Sequence, residues 1–325
     1  SPQRTYRALH IPYSLLPLLN CALMPVQGRG GHDTGWVLRA ATIATLGFFA
    51  VELAAGSYAR SLALVSDAWH NFSDALVLLV AWFAYYVQAK APSERRTYGY
   101  HRAGVLAAFV AALGLLLLAG ALFYWGYRWL VMAPAPNTAV MVATGAAAVI
   151  INGVISGALR RASRGQAYPR SVLIHTVGDA LAGVGIVAAG VLIPITGIRA
   201  LDPLLGILIA GLVVWTSWEI VAESLNILLE GLPAGTNLDH VMAALRNVPG
   251  VRDVHDLHIW SLGAHTQALS CHVQIQEMSL RESETILEQL NTVLEQRFQI
   301  RHTTVQLEHA ACEAVNGCSI PPSSR

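Results

Sequence analysis

Apolar positions gather into six long runs separated by short polar stretches. The runs fall at about Trp36–Tyr58, Leu62–Gln88, Ala103–Val131, Thr138–Leu159, Ser171–Ile195 and Pro203–Ser224. Each is near the roughly 20 residues an α-helix needs to cross a bilayer. Two connections are tight, Ala59-Arg60-Ser61 after the first run and Gly197–Asp202 before the sixth. From about Pro233 the pattern changes. Leu238–Asn247 reads as a short amphipathic helix, and Val251–Leu262 and Thr266–Gln276 alternate like strands. Ser279–Phe298 has helical periodicity, with Ser279 as N-cap and Glu282 completing a capping box. Thr303–Glu308 reads as a last strand. The pattern predicts an α-helical membrane protein of six transmembrane helices plus a small α+β domain in the order αββαβ. The expected boundaries are 1–35 for an N-terminal tail, 36–230 for the transmembrane domain, 231–310 for the α+β domain and 311–325 for a C-terminal tail. Within the first segment, Leu15–Met24 is apolar and follows Arg4 and Arg7 like a signal-peptide core, but it is too short to span. A start at Met24 and a disordered cytoplasmic tail both stay open.

Composition agrees with this division. The chain is 54% hydrophobic and 13% charged, against about 25% charged in a soluble domain, which argues against an ordinary soluble enzyme. A net charge of +1 offers no footprint for nucleic acid. Cysteines at 21, 271, 312 and 318 are too few in a chain of 325 residues to be a disulfide framework. Loop charges set the expected orientation. The second loop holds Lys90, Arg95, Arg96 and Arg102, and the fourth holds Arg160, Arg161, Arg164 and Arg170. The odd connections have one arginine each in or beside them, Arg60, Arg128 in the last turn of the third run, and Arg199. Basic loops face the cytoplasm, so the chain is expected in the cell's inner (plasma) membrane with both termini cytoplasmic.

Ionisable groups inside a bilayer are costly and need a reason. The second run contains Ser-Asp-Ala-Trp-His-Asn-Phe-Ser-Asp at 66–74, and the fifth contains His-Thr-Val-Gly-Asp at 175–179. Each holds His-x-x-x-Asp, and residues i and i+4 share a helix face. If the two helices face each other, His70, Asp74, His175 and Asp179 converge. Two imidazoles and two carboxylates suit tetrahedral Zn2+ better than Mg2+ or Ca2+, and two carboxylates neutralise a divalent cation. Four protein ligands leave no open position for water, which favours a carrier over a hydrolase. The alternative is a pair of local His–Asp hydrogen bonds between packed helices. Asp67 lies on nearly the same face, behind the ligands or near the mouth of the cavity. Glu52 lines the ion path, a helix contact or a water-filled pocket, and Asn152 is a further polar residue within a span. Asp202-Pro203 reads as a helix start. Glu219 and Glu223 read as a solvated helix end. Gly178, Gly183 and Gly185 permit close helix approach.

Seven of the 12 histidines fall in the tail, at 240, 255, 258, 265, 272, 302 and 309. Strand alternation puts Leu269, Cys271, Val273 and Ile275 on one face, making Cys271 a core thiol, and puts His272 on the other. Glu308 falls on the polar face of the last strand, so His272 and Glu308 can meet. His255 and His258 fall on opposite faces of theirs, so at most one joins easily.

These residues carry a resemblance to a known family. The signatures are Ser-Leu-Ala-Leu-Val-Ser-Asp-Ala-Trp-His-Asn-Phe-Ser-Asp (61–74), Tyr-Gly-Tyr-His-Arg (98–102), His-Thr-Val-Gly-Asp-Ala-Leu (175–181), Leu-Leu-Glu-Gly-Leu-Pro (228–233) and Val-His-Asp-Leu-His-Ile-Trp-Ser-Leu (254–262). The chain resembles the cation diffusion facilitators over about residues 36–312, and most of all bacterial zinc exporters and animal vesicular zinc transporters. The resemblance implies a homodimeric metal/proton antiporter with a cytoplasmic metallochaperone-like domain. It implies transport ligands at His70, Asp74, His175 and Asp179, a set typical of zinc-selective members. It implies tail-domain ligands at His255, His272 and Glu308. Cys312 and Cys318 stand where some members carry a thiolate pair, with wider spacing than C-x-x-C; a free reduced pair is the alternative. The loop site that some members build between the second and third spans is reduced here to His101. The loop between spans four and five is basic instead of histidine-rich. Arg102 and Glu230 match a charge pair of a relative, with lipid-headgroup contact by Arg102 as the rival.

The expected function is export of divalent metal, mainly Zn2+ with Cd2+ or other divalent cations possible, by proton antiport. Zn2+ is both cargo and expected regulator at the tail. The bilayer, protons and a second copy of the chain are the expected partners. No His-Glu-x-x-His occurs, so an intramembrane metalloprotease is not supported, and no enzyme activity is expected. A membrane sensor that binds zinc without transporting it is the remaining alternative.

Overall fold

The computed structural model describes residues 31–88, 90–132, 134–162, 170–263 and 266–309. The expectations for the first 30 residues, and those for Cys312 and Cys318, lie outside the described residues. Six long helices come first: α1 (Gly31–Ala59), α2 (Leu62–Gln88), α3 (His101–Met132), α4 (Thr138–Ala162), α5 (Arg170–Thr196) and α6 (Leu201–Leu228). A shorter helix α7 (Leu238–Arg246), strands β1 (Val251–Gly263) and β2 (Thr266–Ile275), helix α8 (Leu280–Phe298) and strand β3 (His302–Glu308) follow. Among the described residues, α3, the Val177–Thr196 part of α5, and α6 are long and apolar enough to cross a membrane. The other three long helices have 29, 27 and 25 residues, which is also sufficient length.

The chain divides into two compact units. The first is helical. Its cores are built from apolar side chains, among them Ala63, Leu64, Met141, Ile186 and Ile209, each at most 1% exposed. Helices α4 and α5 approach closely because glycines leave room. A Cβ on Gly183 would lie 2.8 Å from Val149 Cγ2, and one on Gly190 would lie 2.8 Å from Val142 Cγ2. Among the described residues, a Cβ on Gly178 would meet nothing within 4 Å, which corrects the expectation of a close approach at that glycine.

The second unit holds the αββαβ tail. Its sheet has the order β1-β2-β3, with β1 and β2 antiparallel and β2 and β3 parallel. Helix α8 makes the crossover that a parallel pair requires. It buries Ile286, Leu290 and Leu294, spaced four apart, against the sheet. The opposing face is Leu269, Cys271, Val273 and Ile275, all at most 1% exposed, as alternation dictates. That burial pushes the Cys271 thiol up to about 12, so it behaves as an inert apolar side chain.

Capping explains where the tail helices start. Asn237 caps α7 by accepting from His240 N at 3.0 Å. Ser279 and Glu282 form a reciprocal capping box on α8. The Ser279 hydrogen bonds hold the Glu282 carboxyl below its ordinary 4.5. A depressed carboxyl stabilises above its unfolded pKa, and this is lost as pH falls through the folded value. Losing the N-cap hydroxyl in Ser279→Ala is expected to cost the tail about 1 kcal/mol, the usual loss for such a cap. The gap to wild type should narrow as unfolding of the tail is followed to acid pH.

Candidate metal centre

In the helical unit, α2 and α5 face each other at the predicted motif. His70 is 5% exposed on α2. Its Nε2 lies 3.0 Å from Asp179 Oδ1 on α5. Asp74 follows His70 by one turn on the same face. His70, Asp74 and Asp179 each offer one ligand atom within 4.8 Å of the others. His175 is one turn before Asp179 on α5, and its side chain lies outside the described residues. Asp67, three residues before His70, is 4% exposed.

Surrounding contacts hold the His70 turn in place. Glu52 on α1 is fully buried and accepts from Asn71 Nδ2 at 2.6 Å, which ties α1 to α2 beside the site. This contact matches the helix-packing role among those open for Glu52. Phe49 of α1 packs on Trp69 and Phe72 of α2, with ring centroids 5.3 and 5.0 Å apart. Ser73 Oγ donates to the His70 carbonyl at 2.6 Å. Glu219, read as part of a solvated helix end, accepts from Trp215 Nε1 at 2.8 Å.

A second cluster forms on the tail sheet. His255 on β1 is directly opposite His272 on β2, and their ring centroids are 5.4 Å apart. Glu308 at the end of β3 reaches both: Oε1 lies 2.8 Å from His272 Nδ1, and Oε2 lies 3.4 Å from His255 Nε2. Their ligand atoms also fall within 4.8 Å of one another. One nitrogen from each of two imidazoles and a carboxylate is a donor set for a borderline-soft divalent ion.

The expectation for His255 and His258 needs correction. A β-bulge lies between them: His255 pairs with His272, but His258 pairs with Ser270. Between these pairs Asp256 and Leu257 on β1 oppose Cys271 alone on β2, and Asp256 takes the extra position with φ of +50°. Both histidines consequently stand on the polar face. His258 Nε2 lies 3.0 Å from Asp256 Oδ1, outside the cluster of three. The spacing Val254, Leu257, Ile259, all buried, was the readable signal, because it departs from strict alternation.

Arg102, at the start of α3, donates to Glu230 at 2.9 Å. Both are exposed, so the pair contributes at most about 1 kcal/mol. Among the described residues, no group of three candidate ligands includes His101.

A family model for the cation efflux transmembrane domain matches residues 38–229. One for the cation efflux protein cytoplasmic domain matches residues 233–310. The chain belongs to the cation diffusion facilitator family. Its members are efflux transporters of zinc and other divalent cations, not enzymes. The zinc transporter ZitB of Pectobacterium atrosepticum is 35% identical over 70% of this chain and 71% of its own length. The cadmium, cobalt and zinc/H(+)-K(+) antiporter of Bacillus subtilis is 30% identical over 70% of this chain and 73% of its own. The metal cation efflux protein CzcD of Cupriavidus metallidurans is 33% identical over 72% of this chain and 73% of its own. Among solved structures, the metal-bound C-terminal domain of the CzcD transporter matches at 36% identity, TM-score 0.21, over 22% of this chain and 99% of that domain. This transporter is therefore a multi-pass membrane protein whose tail belongs to a family of dimerisation domains.

Proposed function

We propose that the protein exports Zn2+ from the cytoplasm in exchange for protons, as a homodimer in the inner membrane with both termini cytoplasmic. Cd2+ and other divalent cations with similar ligand preferences are secondary cargo. The observation that carries the reading is the convergence of His70 and Asp74 from α2 with Asp179 from α5. His175 completes a set of two nitrogens and two oxygens. The paired carboxylates cancel the ion's charge in a medium that penalises a net charge.

Exchange follows from the chemistry of one contact. A hydrogen bond between His70 Nε2 and Asp179 Oδ1 needs a proton between them. Zn2+ needs the same nitrogen and the same oxygen deprotonated. Metal and proton therefore compete for one position. Facing the cytoplasm, Zn2+ displaces the proton. Facing outward, protons displace Zn2+, and the inward proton gradient drives the cycle. The two conformers must differ in metal affinity for the gradient to do this. Metal held by His255, His272 and Glu308 biases the dimer toward the transporting state.

The test is zinc flux into sealed proteoliposomes under an imposed pH gradient, followed by a trapped fluorescent zinc reporter and a proton dye. Wild type is expected to move zinc and protons in opposite directions, and His70→Ala to move neither. Zinc binding without flux in vesicles shown to be sealed would replace transport with the sensor reading.

A further inference from the structure

The first N–H groups of a helix have no partner within it. Helix α2 has no acid in its own first turn. The carboxylate comes instead from α6. Asp202 Oδ2 accepts from Leu62 N at 2.8 Å, and Oδ1 accepts from Ala63 N at 3.3 Å and from the Ser61 hydroxyl. Ser61 Oγ accepts in turn from Leu64 N at 3.2 Å, and the Ser61 carbonyl from Val65 N at 3.2 Å. Every orphan N–H at the start of α2 is met. Ser61 and Asp202 are 0% and 1% exposed, so water cannot substitute. The backbones come close enough for this because Gly206 sits one turn along α6. A Cβ there would lie 2.9 Å from Leu62 Cγ and 3.0 Å from the Leu62 backbone carbon. Gly56 does the same for α1, with a Cβ position 2.9 Å from Val65 N. Three helices meet at the first turn of α2.

That turn lies eight residues before His70, about 12 Å along the axis. An α-helix is stiff over such a length, so where its first turn is pinned decides where His70 presents its nitrogen. We propose that Asp202 is a positioning residue for transport. From α6 it pins the start of α2 and so sets the spacing of the α2 ligands, His70 and Asp74, from Asp179 on α5. The inference rests on the reading of His70, Asp74, His175 and Asp179 as the transport site. It assigns Asp202 a second role besides opening its own helix. A site whose ligand helix is loosely held tolerates longer metal–ligand bonds. Zinc affinity then falls, and the larger Cd2+ gains relative to Zn2+.

Zinc and cadmium flux would be measured for the full chain in sealed proteoliposomes under a pH gradient, normalised to the amount of inserted protein. Asp202→Asn is expected to raise KM for zinc about tenfold, the low end of the loss seen when supporting partners of a metal ligand are removed. It should also raise the cadmium-to-zinc ratio. Ser61→Ala should shift both in the same direction by less. The exchanged pair Ser61→Asp with Asp202→Ser returns a carboxylate to the same cluster and should restore both. If Asp202→Asn lowers only the amount of folded protein, at wild-type KM and wild-type ion ratio, Asp202 serves folding alone and the proposal is overturned. If Asp202→Asn fails to insert, Ser61→Ala decides by the same two readouts. His70→Ala, run alongside, separates the two readings. Zinc transport lost there but KM unchanged in Asp202→Asn sinks this proposal only; zinc transport at wild-type KM in His70→Ala overturns the transport site and this proposal with it.

Discussion

Asp179→Asn is expected to abolish proton-driven zinc flux while leaving the helical unit folded. The amide is nearly isosteric with the carboxylate, and its oxygen can still accept from His70 Nε2, now 3.0 Å from Asp179 Oδ1. Packing of α2 on α5 should therefore survive. What changes is charge. With Asp74 as the remaining carboxylate of the set, a bound Zn2+ leaves a net positive charge among buried and half-buried groups. A unit charge pair at 4 Å is worth roughly 4 kcal/mol at an effective dielectric of 20, which is about a thousandfold in affinity. Flux at sub-saturating zinc should fall by at least about a hundredfold. Calorimetric titration on protein mutated only at this position should lose the intramembrane binding event. Flux within twofold of wild type would remove Asp179 from the transport site.

The second large effect belongs to the tail. His272→Ala should erase the zinc-dependent stabilisation of the sheet without touching intramembrane binding. His272 is the central member of its cluster, 2.8 Å from Glu308 and directly opposite His255. Removing it leaves one imidazole and one carboxylate, too few to hold zinc tightly. Ligand that binds only the folded state stabilises it by about 2.7 kcal/mol at a hundred times Kd. Amide exchange in β2 of the intact protein should slow on adding zinc in wild type and stay unchanged in His272→Ala. Equal zinc protection in both would place the metal elsewhere. The regulatory role has its own check: transport rates unaffected by removing His255, His272 and Glu308 together would end it.

Much of this architecture is legible in the chain because its periodicities are strong and local. Helix α8 begins where Ser279 and Glu282 announce it, and β2 buries Leu269, Cys271, Val273 and Ile275 in alternation. The pairing of His70 with Asp74 follows from helix geometry alone. That α2 and α5 face each other is suggested in the sequence only by the repeated motif. The role of Asp202 was not legible. Its partner Leu62 lies 140 positions away, and an Asp-Pro at a helix start already has a sufficient local explanation. The bulge at Asp256 is hidden for a different reason. Strict alternation is the default for a strand, and the only sign against it is that the apolar positions Val254, Leu257 and Ile259 do not keep a period of two.

That one extra residue decides which changes of length the strand can take. Without Asp256 the strand would run Val254, His255, Leu257, His258, Ile259 in strict alternation, apolar side chains on one face and both histidines on the other. Deleting Asp256 alone should therefore keep the hydrophobic face and leave His255 and His258 together on the polar one. Deleting a residue from the regular part of the strand would instead exchange the two faces of everything on one side of the gap. Position 256 is also choosy about its occupant, since φ of +50° suits Asp, Asn or Gly far better than a branched side chain. A deletion at Asp256 should accordingly be tolerated far better than one at Ile259 or Trp260.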